Sequence, residues 1–290
     1  MTEIIESLDS VAGEYDALLV DLWGCYHNGL TPYSAALDAL RRFRSGGGVV
    51  VLLTNAPRPA ISVESFLKGI GAPTDTHDGI MSSGEACQRA MRAGRHGAAF
   101  AYVGPDRDLD MLGDLGLSPV PDDAADAVLL VGFEDDERET PEAYDPRIAT
   151  WKARGLPVLC ANPDIVVDRG DTRLWCAGAI AERYAEAGGE VVWYGKPHPP
   201  SYEAAFAMID AAARREVARD RILAMGDSLH HDVAGATRQG IDALFVTGGI
   251  YTAAVASSAH PDPDFPDPSK LDRLLAEEGH RPRYAIGRLR

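Results

Sequence analysis

Short apolar runs rich in Val, Ile and Leu alternate with segments of helical periodicity along most of the 290 residues, and this alternation most narrows the possible folds. "ALLVDLW" reads as a first strand, and "SAALDALRRFRSGGG" as a helix whose apolar positions recur at helical spacing before a glycine stop. "VVVLLTN" is an uninterrupted apolar run, the pattern of a strand buried on both faces. A helix near "AISVESFLKGIG" follows, then a short strand, a Ser/Gly turn and another helix in "GIMSSGEACQRAMRAG". Such a succession predicts an α/β fold with a parallel sheet. Near residue 98 the alternation restarts in "AAFAYVG", "DAVLLVGF" and "LPVLCANPD", with the acidic loop "EDDERETPEAYDP" between the last two. "EVVWYGKPHPP", "RILAMGDS" and "DALFVTGG" read as strands of the first unit resuming. The expected organisation is a core of residues 1–97 and 191–290 interrupted by an inserted α/β domain, 98–190. A Pro/Asp-rich connector, "HPDPDFPDPSK", precedes the last helix.

The composition, 46% hydrophobic and 25% charged, is that of a globular protein rather than a disordered one. A formal charge of -16 argues against nucleic acid as a partner, because phosphate-backbone contacts need clustered Lys and Arg. It leaves small anions open, since a local cation and turn N–H groups can hold phosphate in a globally negative protein. Cys25, Cys87, Cys160 and Cys176 have no metal-like spacing and read as buried thiols. The acidic start "MTEIIESLDS" is unlike a secretory signal, and no apolar run reaches the roughly 20 residues of a membrane span. No membrane association and a cytoplasmic location are expected.

In an open parallel sheet, ligands bind beyond the carboxyl ends of the strands. Four predicted strand ends carry polar groups of complementary type: Asp21; Thr54 and Asn55; Lys196; and Asp227, Ser228 and Asp232. Each taken singly has an ordinary structural explanation, such as a helix cap or a turn. Together they supply carboxylates, a hydroxyl, a cation and turn N–H groups. Metal-assisted phosphoryl transfer needs that set: oxygen ligands for a hard cation, a nucleophile, and donors for the equatorial oxygens.

The motifs "DLWG", "LLTNAPRP", "GKPHPPSYEAA" and "GDSLHHDVAGA", in this order and with the insertion between the second and third, resemble the haloacid dehalogenase (HAD) superfamily. Within it they resemble the NagD-like (class IIA) phosphatases. The resemblance covers nearly the whole chain. It implies a Rossmann-like parallel-sheet core with an inserted α/β cap domain, and Mg²⁺ as cofactor. By the same resemblance Asp21 is the nucleophile that forms an aspartyl-phosphate and ligates the metal, as does the carbonyl of Trp23. Thr54 and the Asn55 N–H hold the phosphoryl group, Lys196 pairs with phosphate and with Asp21, and Asp227 completes the metal ligands. Ser228 and Asp232 are supporting residues. Asn162 and Asp164, in "CANPD", mark the stretch of the cap that faces substrate, and a homodimer is expected only by analogy.

One residue departs from the family pattern. The position two after the nucleophile is usually an Asp that protonates the leaving alcohol and activates water; here it is Trp23, whose indole N–H has no useful acidity. A small NagD-like subgroup shares this D-x-W-G form. The substrate can carry a good leaving group, or another residue can act, with Tyr26, His27, His230 and His231 nearest in sequence. Alternatively the protein is an attenuated phospho-metabolite sensor, or runs another displacement on Asp21, such as phosphotransfer or dehalogenation. His230 and His231 read chiefly as structural or capping residues, His198 as loop scaffolding, and Asp168, Asp171 and Arg173 as surface pairs. Hydrolysis of a small phosphorylated metabolite is the leading expectation; sugar phosphates, phosphoglycolate-like acids and nucleotide monophosphates are all open.

Overall fold

The computed structural model describes residues 2–169, 172–257, 260 and 264–290. Thirteen strands are assigned among them: β1 Glu3–Ile4, β2 Ala17–Val20, β3 Val49–Thr54, β4 Gly79–Ser82, β5 Phe100–Val103, β6 Ala127–Leu130, β7 Val158–Cys160, β8 Val166–Arg169, β9 Thr172–Trp175, β10 Val191–Trp193, β11 Ile222–Gly226, β12 Asp242–Val246 and β13 Tyr284–Ile286. They form a seven-stranded sheet ordered β1-β13-β12-β11-β2-β3-β4, a four-stranded sheet ordered β10-β7-β6-β5, and the hairpin β8-β9.

The chain folds into two compact units. The first comprises Met1–Thr54, Glu64–Met81 and Tyr202–Arg290. Its central strands pair in parallel, β11 with β2 and β2 with β3. From β2 the chain proceeds outward through β3 and β4; from β11 it proceeds the other way through β12 and β13. The order therefore reverses between β2 and β11, which makes that pair a topological switch point, where loops on both sides leave a crevice at the strand ends. Strands β2 and β11 are buried along their whole length, as their continuous apolar runs require. The helix Ser34–Ser45 joins β2 to β3 and buries Ala36, Leu37, Ala39, Leu40 and Phe43, a stripe at helical spacing. It stops in Gly46-Gly47-Gly48; a Cβ on Gly48 would stand 2.2 Å from the Phe43 ring, and Gly47 has φ +91°. "SGGG" is a helix-to-strand turn, as expected.

The second unit comprises Asn55–Val63 and Ser82–Ser201. Its four-stranded sheet is parallel throughout. The core is built on Val128, Leu130, Val158 and Cys160 from the strands and Trp151, Ile180 and Tyr184 from the helices Asp145–Arg154 and Ala177–Glu186. Trp151 meets Tyr184 edge to face at 6.0 Å, and the Tyr184 hydroxyl donates to the Leu156 carbonyl at 2.6 Å. One strand reading is corrected. "EVVW" was expected to resume the first sheet, but Val191–Trp193 pairs with Val158–Cys160 in the second. Three half-buried residues state that a strand exists; which sheet they join is decided by distant partners. In the hairpin, Asp168 lies opposite Arg173 in register. Asp171, and residues 261–263 of the connector, lie outside the described residues.

Candidate active site

The residues singled out from the sequence fall into two sets, one in each unit. In the first unit, Asp21 follows β2 directly and donates its own N–H to the Met225 carbonyl of β11 at 2.9 Å. That bond aligns the two strand ends, so Asp21 and Asp227 emerge side by side at the switch point. Both are buried, at 8% and 5% exposure. A carboxylate oxygen from each and the thiol of Cys25 lie within 4.8 Å of one another. Cys25, read from the sequence as a buried thiol without metal-like spacing, is buried and joins the cluster. Its only sequence signal is a position four residues after Asp21, on the tight turn in which the Tyr26 N–H bonds the Leu22 carbonyl.

Asp227 is held by backbone. Its Oδ2 accepts the Ile250 N–H at 3.1 Å, and Gly24 and Gly249 press on it so closely that a Cβ on either would stand 2.0 or 1.9 Å from that oxygen. Asp232 supports the same loop. Its Oδ2 accepts the Ser228 N–H at 3.0 Å, and its carboxylate covers Gly226, where a Cβ would come within 2.0 Å of Cγ. The Ser228 hydroxyl in turn accepts the His231 N–H at 3.2 Å and caps the helical turn Leu229–Val233. Residues 226, 227 and 228 are thus fixed on both flanks of the acid. Thr54, half-buried, ends β3, whose Leu52 is in register with Val20.

The donor set in this unit, two buried carboxylates at adjacent strand ends, fits a hard divalent cation. A thiolate ligand would favour softer ions, so the carboxylates are the groups that match Mg²⁺.

Trp23 is 55% exposed. Its ring lies on Gly29, where a Cβ would meet Cη2 at 2.4 Å, and edge-on to His27 at 5.5 Å. Of the sequence neighbours that could replace the missing acid, two have other commitments. The Tyr26 hydroxyl bonds the Thr76 hydroxyl at 2.7 Å inside the core. His27 is buried, its Nδ1 accepts the Gly29 N–H at 2.9 Å, and burial pushes its pKa down to about 4. It is a neutral prop beneath Trp23. His230 is exposed and its Nε2 faces Glu278 at 3.2 Å.

In the second unit, Asn55, Lys196, Asn162 and Asp164 are brought together. Asn55 Nδ2 donates to Asp164 Oδ1 at 2.7 Å and to the Lys196 carbonyl at 3.1 Å, while Asn55 Oδ1 accepts the Lys196 N–H at 2.7 Å. Asn162 Oδ1 accepts the Asp164 N–H at 3.1 Å and shapes the turn between them. Gly195 packs on the Pro163 ring, where a Cβ would be 2.6 Å from Cδ. Lys196 is buried at 3% exposure. His198 stacks on Trp193 with ring centroids 5.3 Å apart, the scaffolding role expected of it.

Two family profiles match the chain: haloacid dehalogenase-like hydrolase over residues 18–118 and HAD-hydrolase-like over residues 193–271. The crystal structure of a haloacid dehalogenase-like family hydrolase from Brucella suis 1330 is 35% identical and superposes with a TM-score of 0.81, covering 99% of this chain and 100% of that one. The chain belongs to the haloacid dehalogenase-like hydrolases and is an enzyme of that class. Among its relatives is the D-glycerol 3-phosphate phosphatase of Mycobacterium tuberculosis (strain ATCC 25618 / H37Rv), 26% identical over 261 residues that span 88% of this chain and 69% of the relative. The p-nitrophenyl phosphatase of Archaeoglobus fulgidus, 19% identical with 95% and 97% coverage, shares the fold at a TM-score of 0.72.

Proposed function

We propose that this hydrolase is a Mg²⁺-dependent phosphatase of small phosphorylated metabolites, of the NagD-like kind, working through an aspartyl-phosphate on Asp21. The observation that carries the reading is the pair of buried carboxylates, Asp21 and Asp227, side by side at the switch point of the parallel sheet. The phosphatase activity named for the mycobacterial relative supports it.

In this reading a carboxylate oxygen of Asp21 attacks phosphorus, the P–O bond to the leaving group breaks, and the departing oxygen takes its proton from solvent. Water then attacks the phosphorus of the aspartyl-phosphate, releasing phosphate and restoring the carboxylate. Asp21, Asp227 and the Trp23 carbonyl would hold Mg²⁺, which when bound supplies charge neutralisation for the phosphoryl oxygens. Thr54 and the Asn55 N–H serve as phosphoryl donors and Lys196 as the neutralising cation. Asp232 and Ser228 hold the loop of Asp227, and the cap around Asn162 and Asp164 selects the leaving group.

The test is phosphate release from a panel of phosphorylated metabolites with Mg²⁺. Asp21→Asn is expected to lower turnover by at least about 10³-fold, the scale of losing a covalent nucleophile, with the thermal unfolding midpoint retained. EDTA is expected to abolish turnover and added Mg²⁺ to restore it. Full activity in Asp21→Asn would overturn the covalent mechanism.

A further inference from the structure

The Asn55 side chain does something that a backbone phosphate donor does not require. Its three hydrogen bonds use both amide protons and the carbonyl oxygen, and they bind the main chain of Lys196 on both sides of one residue, N–H and C=O. The remaining bond goes to the carboxylate of Asp164. Asn55 is buried at 8% exposure; its two bonds to Lys196 are made away from competing water, and the one to Asp164 is partly buried. Asp164 is fixed in its turn: its N–H is held by Asn162 and its carbonyl accepts the Gly178 N–H at 3.0 Å. Gly178 packs on that turn so tightly that a Cβ would lie 2.4 Å from the Pro163 carbonyl oxygen. The lysine loop is also seated on the turn, with Gly195 on the Pro163 ring and its N–H on the Ser201 hydroxyl at 2.6 Å.

We infer that Asn55 and Asp164 are a positioning pair for Lys196: the carboxamide couples the peptide of the phosphate-neutralising lysine to the Asn162-Pro163-Asp164 turn. This assigns Asp164 to the placement of the cation rather than to direct contact with the leaving group, and it rests on the phosphatase reading above. A charge aimed at developing negative charge is effective only when its position is fixed before reaction. An asparagine suits the post because its carboxamide donates to an acid and a carbonyl while accepting from an N–H.

The sharp test exchanges the two partners. Asn55→Asp keeps acceptance of the Lys196 N–H but sets carboxylate against carboxylate at residues 55 and 164. The double variant Asn55→Asp/Asp164→Asn restores a donor opposite an acceptor with the charge count unchanged. With p-nitrophenyl phosphate and Mg²⁺, Asn55→Asp is expected to lower kcat/KM by at least about 30-fold, and the exchange to recover at least tenfold of that loss. The backbone N–H at residue 55 is present in every variant, so these changes report on the side chain. An Asn55→Asp variant that folds and stays within threefold of wild type overturns the inference, as does a double variant no better than the single. If the wild-type protein releases no phosphate, the hydrolytic reading fails by itself. The pair is then judged by calorimetric binding of inorganic phosphate with Mg²⁺: weakening in Asn55→Asp and recovery on exchange support it, while unchanged or absent binding overturns it.

Discussion

At the scale of single residues, the proposed chemistry turns on Trp23, two residues after the proposed nucleophile Asp21. Position 23 carries an indole that is packed on Gly29 and propped by a buried, neutral His27, with Phe66 beyond it, its ring centroid 5.5 Å from that of His27. The ring is built into its loop and has no proton to give at neutral pH. General acid help is worth about 10²–10⁴ in rate, and its value depends on how poor the leaving group is. Trp23→Asp is therefore expected to raise kcat/KM for an alkyl phosphate such as glycerol phosphate by about 10²-fold, the lower end of that range, and for an aryl phosphate by less than about threefold. Paired assays on glycerol phosphate and p-nitrophenyl phosphate decide it; equal gains on both would mean that another acid already serves. The tryptophan at position 23 was plain in the sequence. The fate of its neighbours was not, because Tyr26 and His27 are adjacent in the chain to a reactive centre yet turn into the core.

Among the elements, the strands could be read locally and their partners could not. "ALLV", "VVVLLT", "ILAMG" and "DALFV" appear as β2, β3, β11 and β12 because short, almost wholly apolar runs suit strands of a parallel sheet buried on both faces. "VVW" announces a strand but not its sheet, since pairing is settled by residues 33 positions away in β7. The same division holds at the site. Asp21 and Asp227 were legible as strand-end acids, whereas Cys25 and the three bonds of the Asn55 amide exist only once distant segments meet. The loops that fix Asp227 belong with these, for glycine is a common loop residue and "VTGGI" gave no sign of a carboxylate lying against it. A methyl group at Gly249 would overlap the Asp227 carboxylate, at 1.9 Å from Oδ2. Gly249→Ala is accordingly expected to lower kcat/KM by at least about 10²-fold, with an overpacking cost of about 1–3 kcal/mol in stability. Steady-state assays and thermal melts measure both, and a fully active Gly249→Ala enzyme would mean that Asp227 is not held as described. Ser228→Ala should be milder, about 1 kcal/mol for the lost cap.

For the molecule as a whole, the candidate site residues are divided between the two compact units, and in the proposed reading that has a thermodynamic consequence. Asp21, Cys25 and Asp227 all belong to the first unit. A cation bound by these carboxylates stabilises whatever must stay folded to hold it, by about 2.7 kcal/mol at one hundred times its Kd. A chain of this size shifts its unfolding midpoint by roughly 2–4 °C per kcal/mol, so saturating Mg²⁺ is expected to raise the midpoint by about 5–10 °C. The gain is specific to place. Amide hydrogen exchange should slow in β2 and β11, whose ends carry the acids, and stay unchanged in β5, β6 and β7, whose strands contribute no ligand. Asp227→Asn should remove the response, because an amide oxygen without charge is a much weaker partner for a hard cation. Equal protection of both sheets by Mg²⁺, or protection confined to the second, would show that the ion is held somewhere other than the paired carboxylates at the switch point.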